Sequence, residues 1–247
     1  MKILVVGDSC EDVFIYGECS RLAPAAPVPV FVEQYRKSNK GMAGNVYENV
    51  VSLGAHCDIV TNTTEIIKTR YVEKKTNHMI VRIDTGEQKV DRIKELHKID
   101  MQEYDAVIVS DYDKGFLHEE DIAFIAKNHD LVFLDTKKII GDWAADIEYI
   151  KINEVEHEKT KRTITDFDWI YNKLIVTAGE AGCFYKNLSF PVEKVEIKDL
   201  TGAGDSFLSA LVYKFVKEKN ILAAIEFANQ CATLVVQQKG VNTVNDI

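Results

Sequence analysis

Proline is scarce in this chain, with four in 247 residues. Three of them, Pro24, Pro27 and Pro29, crowd one segment. That segment cannot be a central strand, because proline lacks the ladder donor. An edge or a projecting flap is expected there. The five cysteines, Cys10, Cys19, Cys57, Cys183 and Cys231, show no C-x-x-C spacing and are odd in number. This pattern argues against a zinc site or a disulfide frame and suggests reduced thiols in a cytoplasm. The six histidines show no ligand spacing and are expected at the surface. Basic residues are outnumbered, 30 Lys and Arg against 39 Asp and Glu, for a net charge of −9. A general nucleic-acid binder would carry a basic face. A few local cations still suffice for an anionic substrate. No apolar run approaches membrane-spanning length. A buried strand is expected from residue 2 onward, which leaves no room for a signal peptide. No internal repeat or low-complexity linker is present.

What the chain does have is alternation. Short apolar runs at Ile3–Val6, Ala106–Val109, Leu131–Leu134 and Leu174–Val176 read as buried strands. Helical patterns lie at 43–53, 88–100, 118–128, 204–218 and 221–237. Strands alternating with helices favour an α/β fold whose largely parallel sheet is covered on both faces. A chain of this length can bury one substantial core, so 1–247 is expected to form a single domain. Residues 11–34 look like an excursion from the main sheet. Val13, Ile15, Val28, Val30 and Val32 alternate there, as in a half-buried β layer.

The most informative stretch is Asp199-Leu200-Thr201-Gly202-Ala203-Gly204-Asp205. Behind it Phe207, Leu208, Leu211, Val212 and Phe215 follow helical spacing. The reading is a glycine turn feeding a helix. Free N–H groups at such an N-terminus make an anion site. Asp205 would then set a proton-accepting carboxylate beside a bound phosphate, the pairing needed for phosphoryl transfer to a hydroxyl. The plainer reading is a helix cap in a glycine-rich loop.

The stretch resembles the GAGD motif of the ribokinase-like (PfkB) sugar kinases, and the likeness runs nearly end to end. Met1–Asp8 is similar to that family's first strand, and Asp12 falls where the family places a sugar-binding aspartate. Gly41-Met-Ala-Gly-Asn45 resembles its second glycine motif. Asn153-Glu-Val-Glu156 resembles its N-x-x-E motif, and Val176–Gly182 its nucleotide-side strand and turn. Within the family the likeness leans to the heptose-7-phosphate kinases. It does so through Tyr16-Gly17, Ser20-Arg21, Ala26–Val30, Val81–Asp84, Val109–Tyr112 and Lys114-Gly115.

The resemblance implies a three-layer α/β/α fold with a mostly parallel central sheet and a small β lid over the sugar. It implies ATP and Mg²⁺ as cofactors. Asp205 becomes the catalytic base, with Gly202, Ala203 and Gly204 as the anion hole. Asp12, Gly41, Asn45 and Asp111 fall on the sugar side. Arg21, Arg70, Arg82 and Lys114 become candidate clamps on a substrate phosphate; their plainer reading is solvated surface. Asn153, Glu156, Thr177, Gly179, Gly182 and Asn229 fall on the nucleotide side, with Glu156 reaching Mg²⁺ through water. Lids pair between subunits in the family, so a homodimer through 11–34 is expected.

Three departures stand out. Thr61–Ile66 crosses a gap where the family usually has a further helix and strand. Met42 replaces the second glycine of a Gly-Gly pair, and Asp135-Thr136 stands for Asp-Pro. The expected substrate is a sugar phosphate, with heptose 7-phosphate at O1 first. Another sugar, a nucleoside, or a shortened inactive relative that binds nucleotide or a partner protein are the alternatives. An H-x-G-H nucleotidyltransferase motif is absent from these residues, so that step would need a separate nucleotidyltransferase.

Overall fold

A strand covered on both faces must be apolar at successive positions. Ile3, Leu4, Val5 and Val6 meet that requirement and are fully buried. They form the heart of β1 (Lys2–Gly7) in a computed structural model that describes residues 1–165, 167–238, 240 and 242–243. The next strands are β2 (Ser9–Glu18), β3 (Leu22–Ala23), β4 (Ala26–Pro29), β5 (Val32–Met42), β6 (His56–Thr61), β7 (Ile67–Glu73) and β8 (Met79–Thr85). Then come β9 (Ala106–Asp111), β10 (Val132–Thr136), β11 (Tyr149–Asn153), β12 (Leu174–Thr177), β13 (Cys183–Tyr185) and β14 (Leu188–Phe190). The helices are α1 (Ala43–Ser52), α2 (Glu119–Asn128), α3 (Glu154–Ile164), α4 (Ala203–Glu218) and α5 (Ile221–Val235).

The main sheet runs β14-β13-β12-β11-β10-β9-β1-β6. It is parallel from β6 to β12 and antiparallel only at the β13–β14 edge. Alternate residues of β1 point to opposite faces. Ile3 and Val5 join a core with Val46 of α1, Leu211 of α4 and Ile225 of α5. Leu4 and Val6 join a second core with Ile122 of α2 and Ile164 of α3. Burying each such side chain contributes about 1.5–3 kcal/mol. The two cores therefore fix the three layers. No described helix is long and apolar enough to cross a membrane.

The lid is larger than residues 11–34. A second sheet, ordered β5-β2-β7-β8, draws its strands from as far on as Thr85. The chain passes from β6 in the main sheet to β7 in the lid through residues 62–66 alone, with no intervening helix. The proline segment forms the separate, largely exposed hairpin β3–β4. Val28 and Val32, expected to be half-buried, are 52% and 55% exposed.

Two further expectations fail for physical reasons. No helix covers 88–100, only 3-10 turns at Glu87–Lys89 and Leu96–Lys98. Val90, Ile93, Leu96 and Ile99 repeat every third residue and pack on the second core. A three-residue step drifts about 60° round an α-helix each time, so this pattern suits a looser path. His129 is buried rather than exposed. One ring nitrogen lies 2.9 Å from the Tyr104 carbonyl, and the other accepts the Leu131 N–H at 3.0 Å.

Candidate active site

The turn before α4 is set by Gly202, whose φ of 84° is a left-handed conformation open to glycine. Asp199 holds the loop, accepting the N–H groups of Thr201 and Gly240 at 2.9 and 3.1 Å. Asp205 then enters the first turn of α4, 4% exposed. Its Oδ2 accepts from Asn45 Nδ2 at 2.9 Å, and its Oδ1 from the Tyr112 hydroxyl at 2.7 Å. Burial pushes its pKa up to about 6, opposed by these two hydrogen bonds and by Lys151, while Asp135 adds to the rise. A carboxylate so placed is ionised at neutral pH yet basic enough to take a proton. Tyr112 is held well above its ordinary pKa, by burial first and then by Asp205, so it stays a donor.

The 202–205 turn separates two cavities. Gly202 and Asp205 line a small one of about 80 Å³, together with Asp12, Asn45, Arg70 and Tyr112. Ala203 and Gly204 line a larger one of about 400 Å³, together with Thr177, Gly179, Gly182, Phe207 and Asn229. A phosphoryl group passing between two ligands would therefore cross beside Asp205.

On the small-cavity side, Asp12 pairs with Arg70 through a very short contact. Gly41 is required beside them, because a Cβ there would lie 2.1 Å from Asp12 Oδ2. Asn45 lines the cavity, but its amide already donates to Asp205 and its oxygen accepts from Asn49 at 3.0 Å. The other expected clamps do not line this cavity. Arg82 grips Asp84 at 2.7 and 2.8 Å, and Lys114 donates to Glu87 at 2.7 Å. Arg21 is exposed, just before the β3–β4 hairpin. Asp111 is turned to Thr136 and Lys138, at 2.5 and 2.9 Å, and so braces the ends of β9 and β10.

Asn153 and Glu156, expected on the nucleotide side, line neither cavity and form a reciprocal cap at the start of α3. Glu156 N donates to Asn153 Oδ1 at 2.9 Å, and Asn153 N to Glu156 Oε2 at 2.8 Å. The N-x-x-E spacing is thus a capping box in its own right. Glu156 Oε1 is also bound to Lys137 and to Asn153 Nδ2. With both oxygens engaged, Glu156 suits a metal only through water. Among the described residues no group of three His, Cys, Asp or Glu is placed to hold a metal. Asn229 donates to the Phe190 carbonyl at 2.8 Å. Gly182 has φ 83° and no room for a Cβ, which would meet Phe190 O at 2.0 Å.

Sequence reasoning gave no site role to Tyr112, Lys68, Asp135 or Lys151. Tyr112 sat within the quoted Val109–Tyr112 stretch. Lys68 shares a face of β7 with Arg70, a signal that alternation could have supplied. Lys151 is 3% exposed and donates to Asp135 Oδ2 at 2.6 Å. Its Nζ lies 3.0 Å from where a Cβ on Gly204 would sit, so the ammonium rests directly against the turn.

The chain as a whole has known relatives. The bifunctional protein HldE of Nitratiruptor sp. is 31% identical over 290 aligned positions, covering 98% of this chain and 63% of that protein. HldE of Helicobacter pylori strain J99 is 31% identical, covering 97% and 63%. This chain therefore spans under two thirds of those relatives' length. The alignments run over more positions than the chain has residues, so the relatives carry insertions relative to it. Among solved structures, ribokinase from Thermotoga maritima superposes with a TM-score of 0.73 at 18% identity, covering 97% of this chain and 94% of that one. Phosphofructokinase-2 from Escherichia coli gives 0.72 at 13%, covering 99% and 95%. Likeness at that level establishes the ribokinase fold. The profile of the pfkB family carbohydrate kinases matches residues 54–247, which include Asn153–Glu156 and the 199–205 turn, and the chain belongs to that family.

Proposed function

We propose that this protein transfers the γ-phosphate of ATP to a hydroxyl of a sugar or sugar phosphate, with heptose 7-phosphate at O1 the first candidate. The observation that carries this reading is Asp205, buried, doubly hydrogen-bonded and set where the 202–205 turn divides two cavities. In this reading the acceptor lies in the smaller cavity and ATP in the larger. The larger cavity fits a nucleotide: its lining is mostly apolar, and Ala203 and Gly204 at the start of α4 stand at its edge. Asp205 takes the proton from the attacking hydroxyl. The N–H groups of the turn and the Lys151 ammonium meet the charge of the phosphoryl group. Mg²⁺, if bound with the nucleotide, would offset the charge of its phosphates, and Glu156 with Asn153 would hold it only through water.

The heptose preference rests on the HldE relatives, and the solved relatives include an Arabidopsis thaliana ribokinase complexed with ribose and ATP. A following nucleotidyl transfer would fall to a nucleotidyltransferase outside these 247 residues. Pairing through the lid is part of the same proposal, supported by Val81 and Ile83 of β8, 48% and 47% exposed. The alternative is a shortened relative that binds nucleotide without turnover, favoured by the 62–66 crossing. An ADP-release screen on heptose 7-phosphate, fructose 6-phosphate, fructose, ribose and adenosine decides. Acceptor-dependent ADP formation that is lost in Asp205→Asn supports the kinase. Nucleotide binding with no turnover on any acceptor favours the alternative.

A further inference from the structure

We propose that Lys68 is the residue that binds an anionic group of the acceptor, so that the enzyme takes a sugar bearing a phosphate or a carboxylate. The proposal deepens the kinase reading and rests on it for the location of the acceptor.

Lys68 is 9% exposed and lines the small cavity with Asp12, Arg70 and Asp205. An ammonium has three donors. Among the described residues its one hydrogen-bond acceptor is the Met42 thioether, with Sδ at 3.3 Å. A thioether is a weak acceptor. Glu87 Oε1 lies 3.6 Å away, beyond good hydrogen-bond reach, and is itself buried without a hydrogen-bond partner. The Tyr112 ring is 5.7 Å from the ammonium. The neighbouring cations are matched more fully: Arg70 by Asp12, Arg82 by Asp84, Lys114 by Glu87 Oε2. Lys68 is thus a nearly buried cation facing a ligand cavity, ion-paired with Glu87 at 3.6 Å but making one hydrogen bond, to a thioether, so that donors remain unused. Such a group is costly unless an anion completes it.

Met42 explains how the ammonium is kept there. The residue sits at φ 60°, ψ −132°, a conformation that disfavours side chains. Its side chain is nonetheless buried, packed with Cys10 and Ile66. The strained backbone aims the thioether at Lys68, close enough to hold the ammonium and weak enough to yield it to an oxyanion.

The test compares kcat/KM on fructose 6-phosphate, gluconate and fructose for the wild type, Lys68→Met and Lys68→Arg. An anionic sugar should outrun fructose by about tenfold or more, the scale of one charge-assisted hydrogen bond. Lys68→Met should lower that ratio about tenfold, and Lys68→Arg should retain most of it. Success with fructose 6-phosphate alone assigns a phosphate; success with gluconate as well assigns any oxyanion. A wild type that prefers fructose, or an unchanged ratio in Lys68→Met, overturns the proposal. In the wild type, with a non-hydrolysable ATP analogue saturating the nucleotide side, inorganic phosphate should shift the Lys68 Nζ NMR signal. A signal that stays put overturns the proposal without any variant having to fold. If no acceptor gives Asp205-dependent ADP, the kinase reading fails, and the phosphate titration still decides Lys68.

Discussion

The two sides of the 202–205 turn are built differently. The α4 side is made chiefly from main-chain geometry: Gly179 and Gly182 at positive φ and the close approach of Lys151 to Gly204. The lid side is made from long side chains gripping carboxylates: Arg70 of β7 on Asp12 of β2, Arg82 on Asp84 within β8, and Lys114 on Glu87 between two segments outside the strands. Backbone sites tolerate few replacements where a positive φ or the absence of a Cβ is required, as at Gly202 and Gly182. Side-chain sites can be retuned by one substitution. The 202–205 turn should therefore be the intolerant half and the lid the adjustable half.

The largest effect should come from the turn. Asp205→Asn is expected to lower kcat by about 100-fold or more, the usual scale for losing a general base. A variant with most of its activity would dissolve the contrast. The same substitution should affect stability in the opposite direction. A carboxyl whose folded pKa is raised from 3.8 to about 6 contributes stability fully below pH 3.8 and loses it as pH rises through 6. At pH 8 the ionised, buried group costs up to about 3 kcal/mol. Asp205→Asn should therefore raise Tm by several degrees at pH 8, with the gain vanishing near pH 4. Thermal scans at both pH values check the sign.

The pH profile gives the next effect. Asp205 must be ionised to accept a proton, so kcat should fall about tenfold per pH unit below about 6. An acid limb that starts near 4 instead would mean that burial does not govern this carboxyl.

The contrast also accounts for what the sequence disclosed. Gly202–Asp205 and Asn153–Glu156 are contiguous, and each motif carries its own geometry, a glycine turn and a capping box. They could be read without knowing any neighbour. Of the clamp residues, Arg82 was open to the same kind of reading, since Asp84 lies two residues on along one face of β8. Lys114 was not, because its partner Glu87 lies 27 residues away in another segment. Asp111 shows the same limit, since its partners Thr136 and Lys138 lie on and just past another strand. The false helix at 88–100 arose because Val90, Ile93, Leu96 and Ile99 serve the core from an irregular segment. Local apolar spacing cannot distinguish that from a helical face.

On the lid side Gly41 is the exception that sharpens the comparison, because it is a backbone constraint among side-chain contacts. A methyl at Gly41 would sit 2.1 Å from Asp12 Oδ2 and 2.6 Å from Cys10 Sγ. Gly41→Ala should displace Asp12, weakening acceptor binding and lowering stability by about 1–3 kcal/mol. Raised KM for the sugar with little change in KM for ATP is the expected signature. Equal loss on both substrates would mean that the two cavities are not independently built.

The smallest effect is expected at Arg82. Its guanidinium already makes two hydrogen bonds to Asp84, and its side chain is 46% exposed. Solvent-exposed pairs of this kind contribute about 0–1 kcal/mol. To clamp a phosphate, Arg82 would first have to leave a carboxylate that matches it in both geometry and charge. Arg82→Ala should therefore change kcat/KM on a phosphorylated sugar by less than about fivefold and leave the phosphorylated-to-neutral ratio almost intact, where Lys68→Met should not. The ionic-strength response separates the two positions as well. An exposed charge is screened over about 8–10 Å by physiological salt, and a buried one far less. If the substrate preference persists at 0.5 M salt and survives Arg82→Ala, the anion is held inside the cavity. If Arg82→Ala removes most of the preference, the lid must close further on its substrate than the Arg82–Asp84 pair allows, and the exposed strand β8 then becomes part of the acceptor site.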